Sequence, residues 1–542
     1  MLPNIGVIFL FSFLSLLAGC SSSVSTPSSS VDNSTIPSYG DALVTASIGD
    51  ARTLIPILAS DGSSAEVCNL IFNGLVKYNP SLELVGDLAE KWEVSEDYLT
   101  ITFHLRRDVH WHDGFPFTAR DVEFTYQQLV NPNVKTAYSG DFERIKSLSV
   151  IDDFTVEVIY KEPFVPGLAS WEMGILPRHL LEREDLNATP FSRKPVGTGP
   201  YRFVRWKTAE LIELSANPEY FEGKPYMSRY LYRIIPDQAE MFLELQSGGI
   251  DLMGLTPLQF HRQTETHFLK EQFQKFRYPS FGYTYLGFNL NDWKFQDPRV
   301  RRAITSAIDR QEIINGILLG LGSELTGPFP PESYAYNREV RPIPYDPILA
   351  KKWFAEAGWE DHNGDGWLDK NGAKFEFTIL TNQGNDQRKM TAEIIQKRLA
   401  QIGISVKIRI IEWSSFVSEF IDKRRFETVL LGWGLSRDPD LYDIWHSSKT
   451  KEGEFNFLSY SSAEVDDLLI QGRRNFNQEE RRRIYHRIHE IIAGDAPAVF
   501  LYVPDSLPIV HRRFHGIKVT PIGIGYNLIH WYVPQTEQRY TR

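Results

Sequence analysis

Residues 71–126 read IFNGLVKYNPSLELVGDLAEKWEVSEDYLTITFHLRRDVHWHDGFPFTARDVEFTY, and the periods inside this stretch decide the class of the chain. In YLTITFHL, Ile101, Phe103 and Leu105 alternate with polar residues, the two-residue period of a half-buried strand. FTARDVEFTYQQLV then has helical spacing, with Thr118 as N-cap and Asp121 three positions on as its capping-box partner. Alternation returns in FTVEVIY through Phe154, Val156, Val158 and Tyr160. With the strand ALVTASI after Asp41, the first third is mixed α and β.

Outward from there, KPVGTGPYRF (194–203) is dense in Gly and Pro and reads as a crossover between domains. FQDPRVRRAITSAIDRQEIINGILLG opens a long helix, with Asp297 as N-cap, Pro298 at N1 and a stripe of Val300, Ile304, Ile308 and Ile314. Asp346-Pro347 starts another helix that stops at Gly358. A third runs from Gln387 to Gly403 and leads into the strand ISVKIRIIEW, where Ile404, Val406, Ile408 and Ile410 point one way. Helix followed closely by strand is the grammar of an α/β protein. At 542 residues, two or three domains of roughly 100 to 200 residues each are expected.

The net charge of −11 argues against a nucleic-acid partner, which would require a positive field. The basic cluster Arg473, Arg474, Arg481, Arg482 and Arg483 is interleaved with Glu479 and Glu480 and reads as a solvated helix face, with Glu479 to Arg483 a favourable i,i+4 pair. Ile5 to Leu17 form an apolar run too short to span a bilayer, ending in Leu17-Ala18-Gly19-Cys20. That ending resembles the lipobox of bacterial lipoproteins, which implies a signal peptide at 1–19, lipidation of Cys20 with palmitate among its acyl chains, and a Ser-rich tether at 20–40. The leading MLPN lacks the Lys or Arg of that pattern. The only other cysteine, Cys68, lies among apolar residues and reads as a buried, inert thiol. The body is expected to be exported and held on a bacterial membrane, facing the periplasm or the cell exterior.

Four phrases together resemble one family: 71–126; VGTGPYRFVRW (196–206); YLGFNLNDWKFQDPRVRRAITSAIDRQEII (285–314); and LLGWGLSRDPDLYDIWHSS (430–448). The chain is similar to the peptide-class (family 5) solute-binding lipoproteins of ABC importers, from about residue 41 to the C-terminus. The resemblance implies an α/β, two-lobed clamshell of the periplasmic-binding-protein type (type II) with an accessory domain. One lobe would take 41–80, 195–285 and 500–542, the accessory domain 81–194, and the second lobe 286–499. It also implies a monomer that is no enzyme, whose partners are a peptide ligand and a permease with two membrane and two ATPase subunits. Within the family the ligand is alternatively a nickel chelate, a heme or an oligosaccharide; a surface lipoprotein without a dedicated permease is a further alternative.

Dipeptide- and oligopeptide-type relatives hold the peptide amine with an Asp three residues after the Trp of the GW segment; here that position is Ser436. Either Asp438 or Asp440 then takes the amine, or the amine is not pinned and longer or different ligands are held; for Asp440 the other reading is a residue that only starts a helix. Trp433 and Gly434 are candidates for the cleft wall, with core packing the other reading of Trp433, and Tyr283, Tyr285 and Asn289, which stand where the second lobe would begin, either meet ligand or are core aromatics and a turn Asn. The enzyme-like patterns carry little: His110-Trp-His112-Asp113 lacks a third metal ligand, and His486-x-x-His489-Glu490 is not a zinc-protease order. One cation motif remains. DHNGDGWLD offers Asp361, Asn363, Asp365 and Asp369 at calcium-loop positions, but position 12 is Gly372 and the flanks read as helix and strand. A structural calcium ion is the one cofactor this segment would hold; a turn whose side chains bond local amides is the other reading.

Overall fold

The computed structural model describes residues 36–521 and 523–540. Cys20 and most of the Ser-rich tether lie outside the described residues.

Two large sheets carry the architecture. The first has the spatial order Phe273–Lys275, Pro508–His511, Leu252–Gly254, Gly40–Ser47, Met227–Ile234, Leu211–Ala216, Tyr201–Lys207. Its central strand, Gly40–Ser47, runs parallel to both neighbours and is buried on both faces, so its apolar residues are continuous; Leu43 joins one core and Val44 the other. Arg513, buried, pairs with Asp41 and with Asp251 at 2.8 Å, tying the C-terminal segment to this strand.

The second sheet has the order Tyr278–Pro279, Ala498–Ser506, Gly282–Phe288, Thr428–Gly434, Glu376–Asn382, Ser405–Ile411, with Gly322–Glu324 also on Ala498–Ser506. The chain passes between the sheets twice, and the passages lie side by side. Phe273 pairs with His511 in the first sheet, the Phe276 amide donates to the Pro508 carbonyl, and Tyr278 pairs with Ser506 in the second. These ladders move the lobe borders expected at 285 and 500. Residues 278–285 already belong to the second sheet and 500–506 still do.

The accessory unit is a four-stranded antiparallel sheet, Ala89–Val94, Thr100–Leu105, Thr155–Tyr160, Ile145–Asp152, against which the helix Ala119–Leu129 packs. The Thr118–Asp121 capping box forms as expected. One core runs without interruption from Leu43 through Phe103 and Trp171 to Trp531, so the accessory unit and the first sheet are one body. The second sheet has its own core on each face. The molecule is therefore a two-lobed α/β protein.

His112 joins the accessory unit to the 194–203 crossover. Its Nδ1 accepts from the Gly197 amide (3.2 Å), its Nε2 donates to the Gly199 carbonyl (3.0 Å), and burial pushes its pKa down to about 4. A Cβ on Gly197 would stand 1.9 Å from the Ile71 carbonyl oxygen, so this approach requires glycine. The stretch expected as one long helix from Pro298 is two, Pro298–Ser306 and Arg310–Gly316. Asp309 ends the continuity by capping the second helix, accepting from the Glu312 amide at 3.0 Å. The helices Pro347–Glu356 and Asp386–Ala400 end at Gly358 (φ +82°) and Gly403 (φ +89°).

Candidate functional site

The strand Thr428–Gly434 alternates Val429, Leu431 and Trp433 towards one face, and its last residues emerge between the two bodies. The Trp433 ring stacks on Phe457 (centroids 5.5 Å apart) and meets Phe455 edge-on at 5.4 Å. It lines a cavity of about 510 Å³ whose opposite wall comes from the other body, including Asp61, Tyr138 and Glu172. Two further chambers, about 450 and 900 Å³, meet the first at Tyr78, Leu435 and Ser436. Each alone has the size of a small-molecule site, and linked they suit an elongated ligand.

Contacts across the cleft hold the lobes together. Trp413 Nε1 donates to Asp61 Oδ1 (3.3 Å), Arg52 pairs with Asp422 (2.8 Å), Arg473 with Asp141, and Tyr98 stacks on Phe476. Along one edge of Thr428–Gly434 runs Gly282–Phe288; along the other, Glu376–Asn382 pairs only with Thr428 and Val429. The backbone of 432–434 is thus left without a strand partner on its second edge among the described residues.

Of the residues singled out from sequence, Trp433, Gly434, Ser436, Asp438 and Asp440 line the first cavity. Both aspartates are already engaged: Arg481 grips Asp438 through two hydrogen bonds of 2.8 and 3.0 Å, and Arg473 donates to Asp440 at 2.8 Å. Asp440 also accepts from the Tyr442 amide (3.1 Å), so it starts the short helix Tyr442–Trp445 as well. Ser436 turns its hydroxyl to the Asp438 carbonyl (2.7 Å). Tyr283 and Tyr285 are not in the wall. They are 2% and 1% exposed and pack in the core behind Trp433, on Phe500 and on each other. Asn289 is a turn residue that donates to the Phe426 carbonyl (2.8 Å) and accepts from the Asn291 amide.

The arginine cluster is corrected too. Arg473 and Arg481 are buried and serve the cleft, and the pair from Glu479 runs to Arg482 at i,i+3. Arg473 ends the helix Ala463–Arg474 and Arg481 lies in the first turn of Gln478–Asp495, and the carboxylates that pair with them oppose the cost of taking guanidinium groups out of water.

Among the described residues, eight carboxylates line the first cavity and no Lys, Arg or His does. Six of them reach four cations standing behind the wall: the pairs above, plus Lys449, which lies 3.6 Å from Asp443 and 4.0 Å from Glu454. Asp61 and Glu172 have no ion pair among the described residues. Asp61 caps the helix Gly62–Ile71, accepting from the Ser64 amide and hydroxyl. Burial and neighbouring carboxylates push Asp141 up to about 7 although Arg473 opposes the shift, and burial pushes Asp443 up to about 6 and Glu172 up to about 7. Arg437 lines the other two chambers, lies 3.5 Å over the Phe281 ring, and has a buried Nη1 without a hydrogen-bond acceptor among the described residues. Sequence reasoning missed Asp61, Asp141, Glu172, Trp413 and Arg437. Asp61 and Glu412-Trp413 read locally as helix caps, and nothing local says that they face a cleft.

The cation motif folds into a turn. Asp361 accepts from the amides of Gly364, Asp365 and Gly366, Asn363 from that of Asp365, Asp365 from that of Trp367, and Asp369 from that of His362. Side chains that bond local backbone amides are what the turn reading describes. His489 is buried, accepts from the Asn337 amide (3.0 Å) and meets Thr326 Oγ1, and burial pushes its pKa down to about 4. It fastens the 326–337 segment to its helix. Burial likewise pushes the Cys68 thiol up, leaving it inert.

Residues 83–455 match the family model of bacterial extracellular solute-binding proteins, family 5 Middle. The oligopeptide-binding protein AppA of Bacillus subtilis is 34% identical over 526 residues, 95% of this chain and 96% of that one. The heme-binding protein A of Haemophilus influenzae is 28% identical over 535 residues, 94% of this chain and 95% of that one. Among solved structures, AppA of B. subtilis in complex with a nonapeptide superposes with a TM-score of 0.88 at 33% identity, covering 92% of this chain and 100% of that one. NikZ of Campylobacter jejuni in complex with Ni(L-His) gives 0.83 at 30%, with 92% and 100% covered. The chain thus belongs to the family-5 bacterial extracellular solute-binding proteins, a family of binding proteins and not of enzymes.

Proposed function

We propose that this protein captures short peptides in the interlobe cleft and delivers them to an ABC importer, from a membrane surface where lipid on Cys20 holds it. The observation that carries the reading is the free edge of 432–434 beside the three joined chambers. An extended peptide laid along that edge gains main-chain hydrogen bonds without its side chains being read. At about 1 kcal/mol net each, several such bonds and one charged end contact reach the roughly −8 kcal/mol of a micromolar complex. The charge layout agrees with this: an α-ammonium suits the acidic first chamber, and a carboxylate suits the guanidinium of Arg437, which lines the two neighbouring chambers. With Ser436 unable to carry charge and Asp438 and Asp440 already paired, the amine would be shared among several carboxylates rather than held by one. AppA and its nonapeptide complex support a peptide ligand of some length.

Native mass spectrometry of freshly purified protein tests the ligand. A ladder of peptide masses is expected; a single heme, sugar or metal chelate would overturn the reading. Cys20→Ser is expected to move the protein from the membrane fraction to the soluble one, and deletion of the gene to abolish uptake of the peptides found in the ladder.

A further inference from the structure

We infer that the first chamber selects peptides carrying a Lys or Arg side chain close to the amino terminus. The inference rests on the peptide reading above and names the class of peptide. A bound α-ammonium neutralises one charge, whereas the chamber wall holds eight carboxylates against four paired cations. The surplus is located: Asp61 and Glu172, from opposite parts of the first body, have no ion pair among the described residues, and the charge that Glu172 feels from Arg437 comes from a residue facing the neighbouring chambers.

The rest of the wall suits the stem of a basic side chain. Trp433, Phe455 and Phe457 form a mutually packed aromatic surface, and Trp413 and Tyr138 line the same space. A Lys or Arg can lay its methylenes on such rings, hold its charge over a ring face, and end on a carboxylate. Closing the lobes strips water from every charge in the chamber, so a ligand that brings a second cation is favoured and one that brings an anion is penalised. The raised carboxylates agree, because a cation in the chamber would restore their ionisation.

The test is isothermal titration calorimetry on the mature protein, freed of ligand by unfolding and refolding, with Ala-Lys-Ala-Ala, Lys-Ala-Ala-Ala, Ala-Gln-Ala-Ala and Ala-Glu-Ala-Ala. At least one Lys peptide is expected to bind about tenfold or more tightly than the Gln peptide, and the Glu peptide more weakly than either. Equal affinities, or a preference for Glu, would overturn the inference and leave peptide capture standing; failure of all four to bind would overturn both. Asp61→Asn removes the charge and keeps a good helix cap, and is expected to cut the Lys-to-Gln ratio at least threefold. Asp422→Asn is the second variant. An unchanged ratio in both would refute the assignment to these carboxylates.

Discussion

Replacing Arg473 by Met separates the electrostatics of the cleft floor from its packing. Arg473 is 2% exposed, pairs with Asp141 of the accessory unit and Asp440 of the second lobe, and lies 4.1 Å over the Tyr442 ring. Methionine keeps most of the apolar stem and leaves both carboxylates buried without their cation. Breaking a buried pair in this way costs about 3–5 kcal/mol. The cost depends on pH. Asp141 already sits at about 7 against an ordinary 3.8, and without Arg473 both carboxylates rise further. A carboxylate raised in the folded state contributes stability that is present below its unfolded pKa and is lost as pH rises through the folded one. Each pH unit in that window is worth about 1.4 kcal/mol per carboxylate. Arg473→Met should therefore be nearest the wild type at pH 5 and farthest from it at pH 8. Denaturant midpoints at the two pH values measure this, each variant compared with wild type at the same pH, since a two-lobed chain need not unfold in one step. Adding Asp141→Asn and Asp440→Asn should recover most of the loss at pH 8. A defect equal at both pH values, or no recovery in the triple variant, would refute the electrostatic account.

Trp433→Ala should weaken peptide binding about 30-fold, the cost of about 2 kcal/mol typical of a central aromatic contact, read by calorimetry. Arg437→Gln should abolish the preference for a free peptide over its C-terminal amide, while a Glu-to-Gln change within the peptide distinguishes a side-chain carboxylate as the partner. Affinity for a Lys-containing peptide should fall as pH is lowered from 8 to 5, because Asp141, Glu172 and Asp443 take up protons at about 7, 7 and 6 and cease to attract a cation. Asp361→Ala removes the acceptor of three amide hydrogen bonds and should cost about 1–2 kcal/mol in urea denaturation, with no shift on adding millimolar calcium in either protein.

What the sequence made legible was local. The alternation of Ile101, Phe103 and Leu105, the Thr118–Asp121 box and the Asp346-Pro347 start each involve neighbours in the chain, and each signal fixed its own element. The site was legible only where one strand enters it, at Trp433 and the residues after it. Its other half arrives from far away: Asp61 and Trp413, which touch, are 352 positions apart. Burial misled in both directions for the same reason. A run of arginines has a polar pattern whether its partners are water or distant aspartates, so Arg473 and Arg481 read as surface. Tyr283 and Tyr285 pair with Trp433 and Leu431 in the sheet and share their face, and what buries them is Phe500 from a strand more than 200 positions away, which their own neighbours in the chain do not announce.

The paired passages between the sheets carry a mechanical consequence. Two segments joined by ladder bonds on both sides of the crossing, with the Phe276 amide bonded to the Pro508 carbonyl between them, form a ribbon rather than two loose strings. A ribbon bends easily across its thin dimension and resists torsion and in-plane shear. The lobes should accordingly travel along a single arc, and a spectroscopic ruler placed across the cleft should find one opening angle accounting for every state the ligand selects.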